Sequence, residues 1–237
     1  MSLPPLLAEL ASAPGEAAIL LDVDGTLAPI VPDPADSLVP EETRTELRRL
    51  VARYALVGCV TGRPSDVARE IVGVDGVVYA GEHGLELSPD AQQWIPALDE
   101  LVASAPWPAE RKRFAAAFHY RTAEDEQAAV ALLSELAERA RHAGLVARWG
   151  RKVLEVRPPV DAHKGTALLH LLESRGVRRA LFAGDDDTDL DAFGAMEQLD
   201  LGVKVAVSSD EEPRALSGAA DLVVDGPAGL VELLREL

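Results

Sequence analysis

Apolar runs that stop abruptly at a short polar or glycine-containing segment set the pattern of this chain. Residues 18–21 are continuously apolar and end at Asp22-Val23-Asp24-Gly25-Thr26. Residues 55–60 end at Thr61-Gly62-Arg63-Pro64, residues 77–80 at Gly81-Glu82-His83-Gly84, and residues 179–183 at Gly184-Asp185-Asp186-Asp187-Thr188-Asp189. Short uninterrupted apolar runs, unlike alternating ones, suit parallel strands buried on both faces. Between them, residues 41–53 carry Leu47, Leu50 and Val51 on one face of an amphipathic helix, and a second helix follows Asp161-Ala162-His163-Lys164-Gly165 as far as Ser174. Segments 201–207, 213–216, 221–224 and 229–237 complete the alternation of strand and helix, so the expected class is α/β with a parallel sheet.

The pattern changes after residue 85. A helix over 95–103, a strand over 113–120, a long helix over 123–142 and strands over 145–149 and 152–157, with a hairpin through Gly150, predict a mixed α+β unit. This divides the chain into a core, residues 1–84 and 159–237, and an inserted domain, residues 85–158, with Pro158-Pro159 as its exit hinge. Pro29, Pro32, Pro34 and Pro40 make a long irregular loop, which reads either as a flap over a site or as a connector.

Composition narrows the function classes. At 237 residues, 48% hydrophobic and 27% charged, the chain is not largely disordered, and with aromatics at 4% aliphatic side chains must fill its core. A net charge of −17 argues against nucleic-acid binding and against docking on anionic lipid, and requires a local basic patch for any anionic substrate. The single cysteine, Cys59, lies in an apolar run and reads as a small buried hydrophobe in a reducing compartment. Residues 1–14 lack a basic start and are interrupted by Glu9, unlike a signal peptide, and no apolar run is long enough to span a bilayer. A cytoplasmic monomer is expected.

The run ends hold the candidate chemistry. In an extended segment residues two apart share a side, so Asp22 and Asp24 can present both carboxylates to one pocket at the strand's C-terminal end, where open α/β sheets bind ligands. Such a pair needs a proton, a cation or N–H donors to compensate it; a metal ion together with a proton is the expectation here. A bare D-x-D-G is also simply a turn, and the strand before it and the matching pieces downstream set this one apart. Thr61, with the N–H groups of Gly62 and Arg63, can meet a phosphate at a helix start, ordinary βα-loop chemistry being the alternative. His83, between two glycines, reads first as a turn residue and second as a substrate contact. Lys164 at a helix start opposes the helix dipole unless it faces negative charge, which places it against a phosphate and the aspartates. The acidic run after residue 184 could be a solvated loop, but the strand before it sets Asp185 at the same sheet edge as Asp22. Oxygen ligands from Asp22, Asp24 and Asp185 beside one ammonium suit Mg²⁺, and there is no Cys/His cluster for zinc. An ionised Asp22 can attack phosphorus without a partner base, and Asp24 is placed to protonate the leaving alkoxide and then to deprotonate water.

These residues resemble a known family. DVDGT at residues 22–26, Thr61, Lys164 and GDDDTD at residues 184–189 are similar to the four motifs of the haloacid dehalogenase (HAD) superfamily of phosphotransferases. The resemblance implies a HAD-like Rossmannoid core, with Asp22 as nucleophile and Asp24 as acid/base whose main-chain carbonyl also binds metal. It makes Asp185 a Mg²⁺ ligand and gives Asp189 a supporting role. The insertion lies between the second and third motifs, the type-2 cap position. GEHGLE at residues 81–86, Glu110 and Lys112 with His119 and Arg121, and G-x-K-x-x-E-x-R-P at residues 150–158 further resemble trehalose-6-phosphate phosphatases. That resemblance implies hydrolysis of trehalose 6-phosphate to trehalose and phosphate through an aspartyl phosphate. It also implies Gly62, Arg63, His83, Glu86, Lys112, Arg121, Lys152 and Glu155 as contacts to the sugar phosphate. Val23 stands where relatives often carry an aromatic, a change expected to matter little at a position that contributes mainly backbone. Another sugar phosphate, such as sucrose 6-phosphate or mannosyl-3-phosphoglycerate, is the alternative substrate. A non-catalytic binding module is the alternative class, and it would not need Asp22, Asp24, Lys164 and Asp185 together.

Overall fold

Helix α1 (Pro5–Ala11) leads into strand β1 (Ala17–Leu21), five apolar residues that are all buried in the computed structural model, which describes residues 3–150, 152–209 and 214–237. The chain continues through α2 (Glu41–Val51), β2 (Leu56–Val60), α3 (Ser65–Val72) and β3 (Val78–Ala80). Helix α2 buries Thr43, Leu47 and Leu50, while Val51, expected on the same face, packs only half-buried at its end. Helix α3 stops at Gly73, whose φ of 63° makes a left-handed cap that a side chain would strain. The proline-rich segment holds only a short 3₁₀ turn, Pro34–Asp36, entered through Asp33, which accepts a hydrogen bond from the Ala35 N–H at 2.9 Å. Cys59 is buried in β2, and burial, helped by the nearby Asp22 charge, pushes its thiol well above the ordinary range. Met1, Ser2 and Pro213, which enter the sequence-based expectations above, lie outside the described residues. Among those residues no helix is long and apolar enough to cross a membrane.

The chain forms two units, Met1–Gly84 with Ala162–Leu237, and Leu85–Asp161. The second unit contains α4 (Ile95–Ala103), β4 (Glu110–Arg111), β5 (Ala116–His119), α5 (Glu126–His142), β6 (Val146–Gly150) and β7 (Val153–Arg157). Its antiparallel sheet has the order β4-β5-β7-β6. Strand residues alternate between two faces, so Ala116, Phe118, Leu154 and Val156 meet Leu98, Leu133 and Leu136 of the helices. Ala117, His119, Val153 and Glu155 take the other face. The strand expected over 113–120 is present as β5 over 116–119, and 113–115 belong instead to a tight turn joining it to β4: the Lys112 N–H bonds the Ala115 carbonyl at 2.9 Å, and no Gly or Pro marks that turn in the sequence. Helix α5 starts at Glu126, not Ala123, because the Asp125 carboxylate caps it by accepting from the Ala128 N–H at 3.0 Å. Gly150 is not the turn of the β6–β7 hairpin but its last pair, opposite Val153, and Lys152 takes the left-handed turn conformation with φ 61°.

The chain re-enters the first unit with α6 (Lys164–Glu173), β8 (Arg179–Gly184), α7 (Asp189–Met196), β9 (Leu201–Ser208), α8 (Arg214–Ala219), β10 (Leu222–Asp225) and α9 (Gly226–Glu236). The parallel sheet has the order β10-β9-β8-β1-β2-β3. Connections leave β1 in one direction through β2 and β3, and the returning chain lays β8 on the opposite side of β1, in register from Ala17↔Arg179 to Leu21↔Ala183. This reversal of strand order opens a crevice beyond the carboxyl ends of β1 and β8, because successive helices leave the sheet on opposite faces there. The Asp22 N–H still bonds the Ala183 carbonyl at 2.9 Å, so the ladder itself carries Asp22 to that edge.

Candidate active site

Asp22, Asp185 and Asp189 converge at this edge, each buried and each offering one carboxylate oxygen within 4.8 Å of the others. Asp22 follows β1 and Asp185 follows β8, so the sheet sets both. Asp189 opens α7, four residues past Asp185. Lys164, the first residue of α6, extends into the same cluster with its Nζ 3.1 Å from Asp22, 2.7 Å from Asp189 and 3.7 Å from Asp186. That charge environment is why a cation is tolerated at a helix start, the end that normally repels it. His163 caps α6, its ring Nδ1 accepting from the N–H groups of Gly165 and Thr166, while the Thr166 hydroxyl accepts from the His163 N–H.

Asp189 anchors the site and has little left to offer a ligand. Its Oδ2 accepts from the backbone N–H groups of Asp185 (2.9 Å) and Asp186 (3.0 Å), and its Oδ1 accepts from Lys164. Asp185 is turned by Thr26, whose hydroxyl donates to its Oδ1 at 2.9 Å. Gly25 makes room for this: its φ is 80°, and a Cβ there would sit 2.0 Å from Asp185 Oδ2. The glycine of the D-x-D-G motif is therefore demanded twice, by its backbone conformation and by the carboxylate packed against it.

The carboxyl of Asp24 lies outside this cluster. Arg63 grips it with both prongs, Nε to Oδ2 at 2.6 Å and Nη2 to Oδ1 at 2.7 Å, and the Ser37 hydroxyl donates to Oδ1 at 3.0 Å. The expectation that Asp22 and Asp24 present a matched pair of carboxylates to one cation is corrected accordingly. The extended backbone ends at the Gly25 turn, and the Asp24 carboxylate turns to Arg63 and Ser37 instead. Thr61 is buried at the end of β2, and its Oγ1 accepts from the Arg63 N–H at 3.2 Å. The Thr61 carbonyl accepts from the His83 N–H and the Arg63 carbonyl from the Glu82 N–H, both at 2.9 Å, which joins the second and third run ends. A Cβ on Gly62 would meet His83 Nε2 at 2.6 Å, so Gly62 is small because the imidazole packs on it. Glu82 and His83 both hold left-handed φ, 48° and 54°, a strained conformation for residues with side chains that is concentrated at functional sites.

The remaining candidates, Glu86, Lys112, Arg121, Lys152 and Glu155, belong to the second unit, and the sheet does not present them together. Lys152 pairs with Glu126 at the start of α5 and lies over the Tyr120 ring, on the helix side. Glu155 stands on the opposite face, in register with Ala117 and Arg148, near the His119–Glu110 pair at 2.8 Å. Arg121 is exposed in the turn after β5. Thr26, Ser37 and buried Glu82 were not singled out from the sequence. Thr26 was legible as part of its motif, whereas nothing local distinguishes Ser37.

The electrostatics of the cluster favour a cation. Burial, against the pull of Lys164 and with the push of Asp189, Asp186 and Asp185, holds the Asp22 carboxyl well above the usual range. Burial and the neighbouring Asp189 raise Asp185 to about 7, and burial, opposed by Lys164, raises Asp189 to about 6. Burial alone would lower the Lys164 pKa, but Asp189, Asp22 and Asp186 carry it well above normal. Several carboxylates thus share one ammonium, and the excess negative charge is relieved by protons unless a cation relieves it. With Asp189 committed to anchoring, Asp22 and Asp185 remain to hold a hard divalent ion, a fit that rests on an oxygen-only donor set short of positive charge.

A pH dependence follows. Folded-state pKa values of about 7 and about 6 lie above the unfolded value near 3.9, so the metal-free native state binds more protons than the unfolded state across that window. The stabilisation is complete below the unfolded pKa and is lost as pH rises through the folded values. Melting curves of metal-free protein from pH 4 to 8 are expected to show declining stability above about pH 5, and a divalent cation to restore it mainly at the alkaline end. Equal cation stabilisation at both ends of the range would contradict this charge balance.

Comparison with known proteins gives a consistent picture. The family described as trehalose-phosphatase matches residues 20–109 and 107–227. The chain is 36% identical over 263 residues to the trehalose-phosphate phosphatase of Mycobacterium tuberculosis, covering 99% of this chain and 66% of that protein. It is 30% identical over 235 residues to probable trehalose-phosphate phosphatase G of Arabidopsis thaliana, covering 81% of this chain and 62% of that protein. The chain therefore spans less than two thirds of the length of these curated relatives. Among solved structures it resembles a trehalose-6-phosphate phosphatase related protein, with a TM-score of 0.73, 25% identity and coverage of 92% and 95% of the two chains. A haloacid dehalogenase-like hydrolase from Bacteroides thetaiotaomicron shares the fold at a TM-score of 0.67 and 17% identity, covering 92% of this chain and 98% of that one.

Proposed function

The chain belongs to the trehalose-phosphatase family, and on that footing we propose that it is a Mg²⁺-dependent phosphatase converting trehalose 6-phosphate and water into trehalose and phosphate. The observation that carries this reading is the cluster itself: Asp22 at the end of β1, facing Lys164 from α6 and Asp185 from β8. Asp22 attacks phosphorus, the bond from phosphorus to the sugar oxygen breaks, and Asp24 gives its proton to the departing alkoxide. Asp24 then takes a proton from water. The water oxygen attacks the aspartyl phosphate at phosphorus, the bond to Asp22 breaks, and both aspartates return to their starting forms. Lys164 and the Thr61 hydroxyl hold the phosphoryl oxygens.

Asp22, Asp185 and the Asp24 carbonyl would hold Mg²⁺, which supplies neutralisation of the phosphoryl charge when bound. Nearby, Gly62 and His83 border the phosphate. Recognition of the sugar falls to polar side chains of the second unit, with Glu86, Lys112, Arg121, Lys152 and Glu155 as its contacts. A cytoplasmic location belongs to the same reading, supported by the single, buried Cys59.

A panel of sugar phosphate esters tests the assignment. Trehalose 6-phosphate is expected to exceed sucrose 6-phosphate and mannosyl-3-phosphoglycerate in kcat/KM by about tenfold or more, the scale of discrimination that a few buried hydrogen bonds supply. Chelation is expected to remove turnover and Mg²⁺ to restore it. Ready hydrolysis of another ester with no phosphate released from trehalose 6-phosphate would reject the substrate.

A further inference from the structure

Arg63 follows a run end that normally serves phosphate, yet its guanidinium is directed elsewhere. Nε and Nη2 form a two-pronged contact with the Asp24 carboxylate, and Nη1 donates to the Pro34 carbonyl at 2.9 Å. The side chain is mostly buried, at 18% exposure against 31% for Asp24. Its backbone is held as well, the N–H by Thr61 Oγ1 and the carbonyl by the Glu82 N–H. Ser37, from the same proline-rich segment as Pro34, adds a third donor to Asp24. A planar fork on both oxygens fixes the plane of a carboxylate as well as its place, which a lysine or a single hydrogen bond does not.

We propose that Arg63 is a positioning residue for Asp24, with residues 34–37 as the strap that keeps the guanidinium in place, and that it is not a substrate-phosphate contact. The proposal rests on the phosphatase reading, in which Asp24 moves the proton in both half-reactions. In this role the proline-rich segment belongs to the site: the chain between residues 29 and 40 returns to brace the side chain that sets the acid/base.

Two esters separate positioning from phosphate binding. A sugar alkoxide needs a proton to leave, whereas p-nitrophenolate does not, so kcat/KM for trehalose 6-phosphate depends on Asp24 and that for p-nitrophenyl phosphate hardly does. Arg63→Ala and Arg63→Lys are expected to lower kcat/KM for the sugar ester by about a hundredfold, the scale of a general acid contribution, and for the aryl ester by less than about fivefold. Both half-reactions use Asp24, so the variants should also release a burst of about one equivalent of p-nitrophenol before a slow steady state, as the aspartyl phosphate accumulates. Ser37→Ala should show the same selectivity at smaller size. Equal losses for the two esters with a raised KM and no burst would make Arg63 a phosphate contact and overturn the proposal. Lysine keeps the charge and loses the fork, so it carries the test should the alanine variant not fold. Wild-type protein inert toward both esters would instead overturn the phosphatase reading, and this proposal with it.

Discussion

Asp22→Asn is expected to lower phosphate release by about 10⁴-fold or more while leaving the affinity for the sugar phosphate within a few-fold, because the amide keeps the shape of the carboxylate and loses its nucleophilic oxygen. The size of the loss follows from the position. Asp22 stands at 5% exposure beside Lys164, at the end of the strand that aims it into the cluster, and the proposed reaction has its oxygen form the bond to phosphorus. The substitution also removes one of the charges competing for Lys164, and burial is the largest influence holding that carboxyl above its usual range. The metal-free variant should therefore melt no lower than wild type. Single-turnover measurements and calorimetric binding of trehalose 6-phosphate check both halves. Residual turnover above about one part in a hundred would assign the nucleophile to another group.

Removal of Lys164 should be felt in stability as well as in rate. Its ammonium is 2% exposed and lies within 4 Å of Asp22, Asp186 and Asp189, so Lys164→Ala strips several carboxylates of a shared counter-charge and leaves a cavity. Taking one partner from a buried ion pair costs roughly 3–5 kcal/mol. The carboxylates answer by binding protons. The folded pKa values of Asp22 and Asp189, already raised, rise further, and a raised folded pKa is a stabilisation lost as pH increases. The variant should thus fall furthest below wild type near pH 8 and least near pH 5, in paired denaturation curves. Phosphate turnover should fall by about a hundredfold or more, because a phosphoryl oxygen then develops charge without its ammonium. Unchanged melting at both pH values would mean that the cluster does not depend on Lys164.

Much of this was legible before folding. Unbroken apolar runs before residues 22, 61 and 184 signal buried parallel strands because only a strand covered on both faces has no use for alternation. The change of pattern near residue 85 signals a second unit for the same reason. Elsewhere local signals misled. The hairpin over residues 112–115 has no turn residue, and Gly150 seemed the natural turn because Lys152, two residues on and left-handed, is of a type that rarely adopts that conformation.

The sequence by itself determined which residues meet at the sheet edge: a strand's end is set by its own residues, and parallel neighbours deliver their ends to one side. Only the tertiary structure decided what each polar group is doing there. Thr26 reaches Asp185 across 159 positions and Arg63 reaches Asp24 across 39, and no local pattern encodes a hydrogen bond at that separation. Asp189 became the anchor and Asp24 the braced carboxylate through these contacts. Lys152 and Glu155, three positions apart in one motif, went to different sides because the turn at Lys152 lies outside the strand's alternation. Spacing assigns faces only while the backbone stays regular, and a functional site begins where that regularity stops.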